Sequence, residues 1–272
     1  MPTTYTHYKF GKDVLTNLPF PLKKAIELKR QYFDIGLHGP DILFYYYPFW
    51  YNHVNKTGSS MHKVSARPFF ERAREVIAKA DDRMAAKAYI YGFICHYSLD
   101  SVCHKYVEKM IDVSGIGHSE IEMEWDRRLM VADGLDPLTF IPTGHIKATD
   151  KNATVIAPFF KDISVKEVKR ALTIMRWALK NLLPLSVWKK VIVKGVLKTV
   201  HLEKKFGLFM SEKKNPKCDR YCDILSDVYE ENIMHAVRLI EEYSSFLLKD
   251  EVLSDDFNDT FSHGDDWQNI QL

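Results

Sequence analysis

One stretch constrains this chain more than any other: Asp82 to about Val113, rich in Ala, Met, Lys and Leu, with Gly92 as its only weak helix former. Residues of these types lose little rotamer freedom in a helix, so the stretch is the strongest predicted helix. Helical periodicity recurs elsewhere. It predicts helices over Pro21–Phe33, Pro68–Ala80, Ser119–Ala132, Ser164–Leu183, Pro184 to about Lys205, and Asp223–Leu248. The first two of these open with proline at a first-turn position, where its missing N–H costs nothing. Convincing period-two strands and internal repeats are absent, and the reading is an all-α chain. His53–Ser60, Pro137–Phe160 and Ser211–Cys222 read as loops. From Ser254 onward five aspartates fall within thirteen residues, which predicts a mobile acidic tail over 254–272 behind a single multi-helix domain over 1–253.

Composition excludes several classes. Against 38 Lys+Arg stand 36 Asp+Glu, a net charge of +2, which does not favour a nucleic-acid partner held by a basic surface. The longest apolar run, Ile42–Tyr51, has ten residues with Pro48 inside it, short of the ~18–20 needed to span a bilayer. The N-terminus lacks the basic-then-apolar pattern of a secretory signal. Cys95, Cys103, Cys218 and Cys222 read as reduced thiols in a cytoplasmic protein.

Histidines carry the chemistry. Seven of eleven fall in the first 118 residues. His96, Asp100 and His104 are spaced four apart within the strongest helix, and each such step drifts only about 40° around the axis, so the three share one stripe. The two histidine Cα atoms lie about 12 Å apart, too far for one ion bound at ~2 Å. The spacing suits a site with more than one metal, with Asp100 between the histidines. The same stripe is also compatible with a hydrogen-bonded network or a solvated face. Its neighbours Tyr89, Ile90, Phe93, Ile94, Leu99 and Val102 predict burial, and a carboxylate buried there needs compensation, which a divalent cation supplies most simply.

His118 and Glu122 form a second helical pair, although Ser119-x-x-Glu122 fits a capping box, and taken alone the cap is the better reading. Asp41 in Gly36-Leu37-His38-Gly39-Pro40-Asp41, His62 and His7 carry no mechanism singly. His38, His53, His145, His201, His235 and His263 read as structural or surface residues. Cys95 and Cys103 are rotated about 100° from their neighbouring histidines and read as core.

Taken together, His7, Gly39-Pro40-Asp41, Gly58-x-x-x-His62, His96-x-x-x-Asp100-x-x-x-His104 and His118-x-x-x-Glu122, in this order, resemble the zinc-dependent phospholipase C family. The segments Gly39–Tyr46 and Gly92–Asp100 look like its intracellular bacterial branch. The likeness covers the first half of the chain, with a metal-binding half over about 1–135. It implies the all-helical fold shared with single-strand nucleases, and two or three zinc ions per chain. Carried over, Asp41, His62, His96 and Asp100 would hold one zinc, His104, His118 and Glu122 a second, while His7 and Asp100 would contribute to a third. Secreted relatives complete that third site with the amine of an N-terminal tryptophan, where this sequence begins Met1-Pro2.

The activity implied is hydrolysis of phosphoric esters, most directly a phosphodiester of a phospholipid headgroup or a small soluble diester. Such ions activate water and neutralise the phosphodiester. Analogy gives Asp41 the catalytic role of orienter or base. Seven of the eight residues from Phe44 to Tyr51 are aromatic, which suits a quaternary ammonium, a bilayer interface with peripheral membrane contact, or core packing. The relatives' headgroup tyrosine follows the aspartate; here Ile42 stands there. A nuclease-like or phosphomonoester hydrolase and a non-catalytic metal-stabilised protein are the alternatives.

Overall fold

A computed structural model describes residues 4–181, 210, 213–249 and 251–272, and these are helical without strands. In chain order the helices are α1 (Thr4–Asn17), α2 (Phe20–Glu27), α3 (Arg30–Gly36), α4 (His53–Met61), α5 (Arg67–Lys79), α6 (Arg83–Ser114), α7 (His118–Ala132), α8 (Asp150–Ile156), α9 (Val165–Asn181) and α10 (Asp219–Leu248), with a 3-10 turn over Gly39–Tyr45. The all-α expectation is met. The helix predicted over Pro184–Lys205 and His201 lie outside the described residues.

The long helix α6 forms as its sequence dictates and organises the rest. Asp82 caps it, its side chain accepting from the Ala85 N–H at 3.0 Å, and Gly115 closes it in the left-handed region at φ 69°. At ~1.5 Å per residue its 32 residues span about 48 Å. Helices α3 and α10 pack along it most extensively, with α1, α5 and α7 also against it.

Gly92, the weak spot in the sequence of α6, is where α3 crosses closest. A Cβ there would be driven into the carbonyl oxygen of Phe33, and one on Gly36 into that of Tyr89. Two facing glycines let the backbones touch. The chain leaving α3 at Gly36 is thereby laid against α6, carrying His38 to Asp41 towards His96.

Several local expectations are corrected. The helix predicted over Pro21–Phe33 is two helices, α2 and α3, broken where Lys29 leaves helical geometry at φ −126°. His53–Ser60 is not a loop but most of α4, because Asn52 and Asn55 form a reciprocal cap that accepts from the Val54 and Asn55 N–H groups. The stretch Pro137–Phe160 contains α8, capped by Thr149, and α10 begins at Asp219 within the expected loop Ser211–Cys222. Helix α1 had no counterpart in the sequence reading. Its first turn is held by Asp126 of α7, which accepts from the N–H groups of Tyr5 and Thr6 and from the Thr6 hydroxyl.

The acidic tail, expected to be mobile, is anchored. Leu253, Phe257 and Phe261, four residues apart, are buried in the same core as the helices, while the aspartates between them face outward or pair. No helix among the described residues is long and apolar enough to cross a membrane.

The crossing makes a specific prediction. In an isolated helix, Gly92→Ala gains up to ~1 kcal/mol of propensity. Here the methyl group meets backbone, and overpacking of that kind costs about 1–3 kcal/mol. The variant should therefore melt several degrees below the parent in a thermal unfolding scan. An unchanged or raised melting temperature would show that the crossing has room for a Cβ.

Candidate metal centre

The stripe on α6 is buried. His96, Asp100 and His104 sit one turn apart along it, with His96 wholly inaccessible and the other two nearly so. From that stripe the site is built outward by four other segments. The first turn of α1 lays His7 over His96, ring centroids 4.3 Å apart, and brings His7 Nε2 to 3.1 Å from Asp100 Oδ1. The other Asp100 oxygen is 3.1 Å from His96 Nε2. The 3-10 turn places Asp41, whose Oδ1 lies 3.1 Å from Nε2 of His62 at the end of α4. Helix α7 contributes His118 and Glu122: Glu122 Oε1 is 2.9 Å from His118 Nε2 and 3.4 Å from His104 Nε2.

Three groups of donor atoms result, each mutually within 4.8 Å: His7, His96 and Asp100; Asp41, His62 and His96; and His104, His118 and Glu122. All eight residues singled out in the sequence thus fall into one connected cluster. The grouping differs in one respect from the carried-over assignment. Asp100 gathers with His7 and His96, and His96 is the residue common to two groups.

Glu122 also settles the local ambiguity on α7. That helix has Gly117 at its N-cap with no side-chain cap, so the expected Ser119–Glu122 capping box does not form. Glu122 is turned inward to two imidazoles instead.

Whether these residues fit a cation is testable on the atoms themselves. Among the described residues, eleven buried side-chain polar atoms have no hydrogen-bond partner, and six of them belong to this cluster: His7 Nδ1, Asp41 Oδ1, both His96 nitrogens, Asp100 Oδ2 and Glu122 Oε2. The short contacts between His96 and Asp100 and between His62 and Asp41 therefore lack hydrogen-bond direction. A buried polar atom left unpaired costs about 1–3 kcal/mol, so such a concentration is expensive unless a ligand completes it. Imidazole nitrogens and carboxylate oxygens are the donors that zinc accepts.

Two of the histidines are also held as metal ligands usually are, by a backbone carbonyl on the second ring nitrogen. His62 Nδ1 donates to the Gly58 carbonyl and His104 Nδ1 to that of Phe261, both at 2.8 Å, leaving each Nε2 free on the side of its carboxylate, 3.1 Å from Asp41 and 3.4 Å from Glu122. The glycine of Gly58-x-x-x-His62 thus contributes its carbonyl. Gly39, at φ +46°, serves by leaving room, since a Cβ there would enter the His96 ring. Neither carbonyl leaves a trace in the sequence, and neither does the hold of Asp126 on the turn that carries His7.

Charge follows geometry. Burial works hardest against ionisation of Asp100, yet the nearby His96, His104 and His7 together hold its carboxyl well below the ordinary carboxylate range. Glu122 is likewise depressed by His118 and His104 against the penalty of burial. For His104 burial favours the neutral ring, but Asp100 and Glu122 outweigh it and raise the imidazolium to about 9. Cys103 is pushed well up by burial and by the same two carboxylates, and neither it nor Cys95 joins a donor group.

Among the described residues, the other histidines join none of the three donor groups. His38 and His145, read from the sequence as structural or surface residues, meet at 2.7 Å between their Nε2 atoms, with Tyr8 stacked on His145. His53 is exposed and pairs with Glu167. A cavity of about 530 Å³ against Lys109, Arg220, Tyr221 and the last five residues touches none of the cluster.

The raised His104 gives a pH dependence with a definite sign. Below about 9 a proton occupies this ring in the metal-free chain, and a cation must displace it. Zinc affinity of the group His104, His118 and Glu122 should therefore rise with pH, about tenfold per unit between about pH 7 and 8.5, in competition titrations against a chelator of known affinity. An affinity independent of pH over that range would contradict the placement of His104 among the ligands.

A family model described as zinc dependent phospholipase C matches residues 6–173, well over half of the chain and the region that contains all eight cluster residues. No curated protein and no solved structure matches the chain. With a matched region of that length, the chain belongs to the zinc-dependent phospholipase C family.

Proposed function

We propose that the protein is a zinc-dependent hydrolase of phosphoric esters, acting as a phospholipase C-like phosphodiesterase with two or three zinc ions held by His7, Asp41, His62, His96, Asp100, His104, His118 and Glu122. The observation that carries this reading is the overlap of two of the three donor groups through His96, surrounded by buried donor atoms that no protein group satisfies. Bound ions of this kind supply Lewis acidity and an activated water for displacement at phosphorus.

The chain's own residues divide the remaining work. Asp100 and Glu122 are kept ionised by the imidazoles beside them and so present negative charge to the ions throughout the neutral range. His104 and His62 are fixed in orientation by their carbonyl partners. Asp41 is itself buried but lies beside His62, whose side chain keeps some exposure, and there a carboxylate can orient or deprotonate the attacking water. Its adjacent Ile42 is buried, so the headgroup contact made by a tyrosine in secreted relatives is not available from this position.

The aromatic run begins three residues after Asp41, and its two halves differ. Tyr45 is buried and the Phe44 ring lies tilted against that of His62, centroids 5.3 Å apart, while Trp50 and Tyr51 are 67% and 83% exposed. Arg170 of α9 lies over the Tyr47 ring at 5.6 Å. Amphipathic rings beside a cation suit the headgroup layer of a bilayer, and peripheral contact with a phospholipid surface belongs to this reading. So does a cytoplasmic location, which agrees with four buried, unpaired cysteines.

The test combines metal analysis with turnover. The purified chain should contain two or three zinc per molecule and cleave a member of a phosphodiester panel, with activity lost to a chelator and restored by zinc. Asp41→Asn should preserve helicity and most of the zinc while lowering turnover about 10²–10⁴-fold, the range for an acid–base group. Zinc without turnover on any phosphoric ester supports a metal-stabilised protein instead, and full activity in Asp41→Asn removes the role given to that residue.

A further inference from the structure

The segment after α10 lies outside residues 6–173, which the family model matches, yet it reaches the cluster. Its course is fixed by several independent bonds. The Tyr97 hydroxyl donates to the Asp256 carbonyl at 2.6 Å, the Ala66 N–H to the Asp259 carbonyl at 2.9 Å, and Lys105 pairs with Asp259 and Asp266. The side chains of Phe257 and Phe261 within this strap are buried. The result is that the Phe261 carbonyl stands 2.8 Å from His104 Nδ1, across 157 positions of sequence.

That contact decides which nitrogen of His104 is available. A carbonyl oxygen only accepts, so Nδ1 carries the proton, and in the neutral ring Nε2 holds the lone pair. Nε2 is the atom directed at Glu122 Oε1. A rival acceptor is close: Asp100 Oδ2 lies 3.9 Å from the same Nδ1. Without the carbonyl, that carboxylate would compete for the ring and turn it away from His118 and Glu122. The Phe261 side chain adds a wall, its ring centroid 5.9 Å from that of His62 and 6.0 Å from that of His96.

We infer that the C-terminal strap is a working part of the metal centre, in which Phe261 is a positioning residue whose backbone carbonyl fixes His104 with its proton on Nδ1 and aims Nε2 at the ion shared with His118 and Glu122. This rests on the zinc reading above. Partners of this kind are worth about 10–100-fold in metal affinity, which sets the expected effect.

The experiment compares the full chain with a chain ending at Thr260, which keeps the buried Leu253 and Phe257, and with Phe261→Leu, which keeps the carbonyl. Zinc stoichiometry and affinity are measured by competition with a chelator, and helicity by circular dichroism. In the shortened chain one zinc should bind about ten- to a hundredfold more weakly than in the full chain, while the remaining zinc is unaffected. Phe261→Leu should hold the same zinc within about threefold. Equal zinc binding in the full and shortened chains overturns the role of the strap but leaves the zinc reading intact. A full chain that takes up no zinc overturns both. A second measurement does not depend on the shortened chain folding: long-range proton–nitrogen spectra of the zinc-loaded full chain with labelled histidine. They should show His104 protonated at Nδ1; a proton on Nε2 would overturn the inference.

Discussion

Buried carboxylates set the terms for this structure. Asp41, Asp100 and Glu122 are almost sealed from water inside a helical core, and an isolated ionised carboxylate in such a place is prohibitively unstable. The protein surrounds them with imidazoles, which offset part of the cost and leave lone pairs and oxygen atoms facing one another without hydrogen-bond direction. Protons satisfy this arrangement poorly, and cations satisfy it well. The fold and the metal are therefore energetically linked: whatever stabilisation the ions supply on binding is stabilisation of the folded state, because the unfolded chain does not assemble the groups.

The donors come from five stretches of chain, and the backbone geometry that gathers them is specific. Helix α6 provides a rigid column of ligands at one-turn intervals. The facing glycines of α3 and α6 bring the Asp41 turn against it, Asp126 fixes the turn of α1 that bears His7, and α7 enters with its first turn pointing at His104. The acidic end of the chain then closes over the side of His62 and His104. Each of these devices is remote from the chemistry and acts only through position.

Legibility in the sequence followed the range of the interactions. Spacing along α6 was readable, because 3.6 residues per turn places His96, Asp100 and His104 on one stripe whatever surrounds it. Glu122 was ambiguous because a capping box and a ligand pair share the same short spacing, and only the tertiary position of His104 separates them. The sequence hides α4 because only Val54 and Gly58 of its nine residues are buried, leaving no periodic apolar face, and α1 because its buried face carries Thr6 and His7 as well as apolar residues. In the tail, the aspartates masked a four-residue spacing of Leu253, Phe257 and Phe261 that signals burial. The carbonyls of Gly58 and Phe261 had no sequence signal at all, since every residue possesses one.

The most direct test of a zinc-filled cluster is diffraction from zinc-loaded crystals on either side of the zinc absorption edge. Anomalous peaks are expected at the cluster, one among His104, His118 and Glu122 and at least one more beside His96. Crystals that diffract well and show no anomalous density there, with His96, Asp100 and Glu122 bonded to protein or water alone, would contradict it.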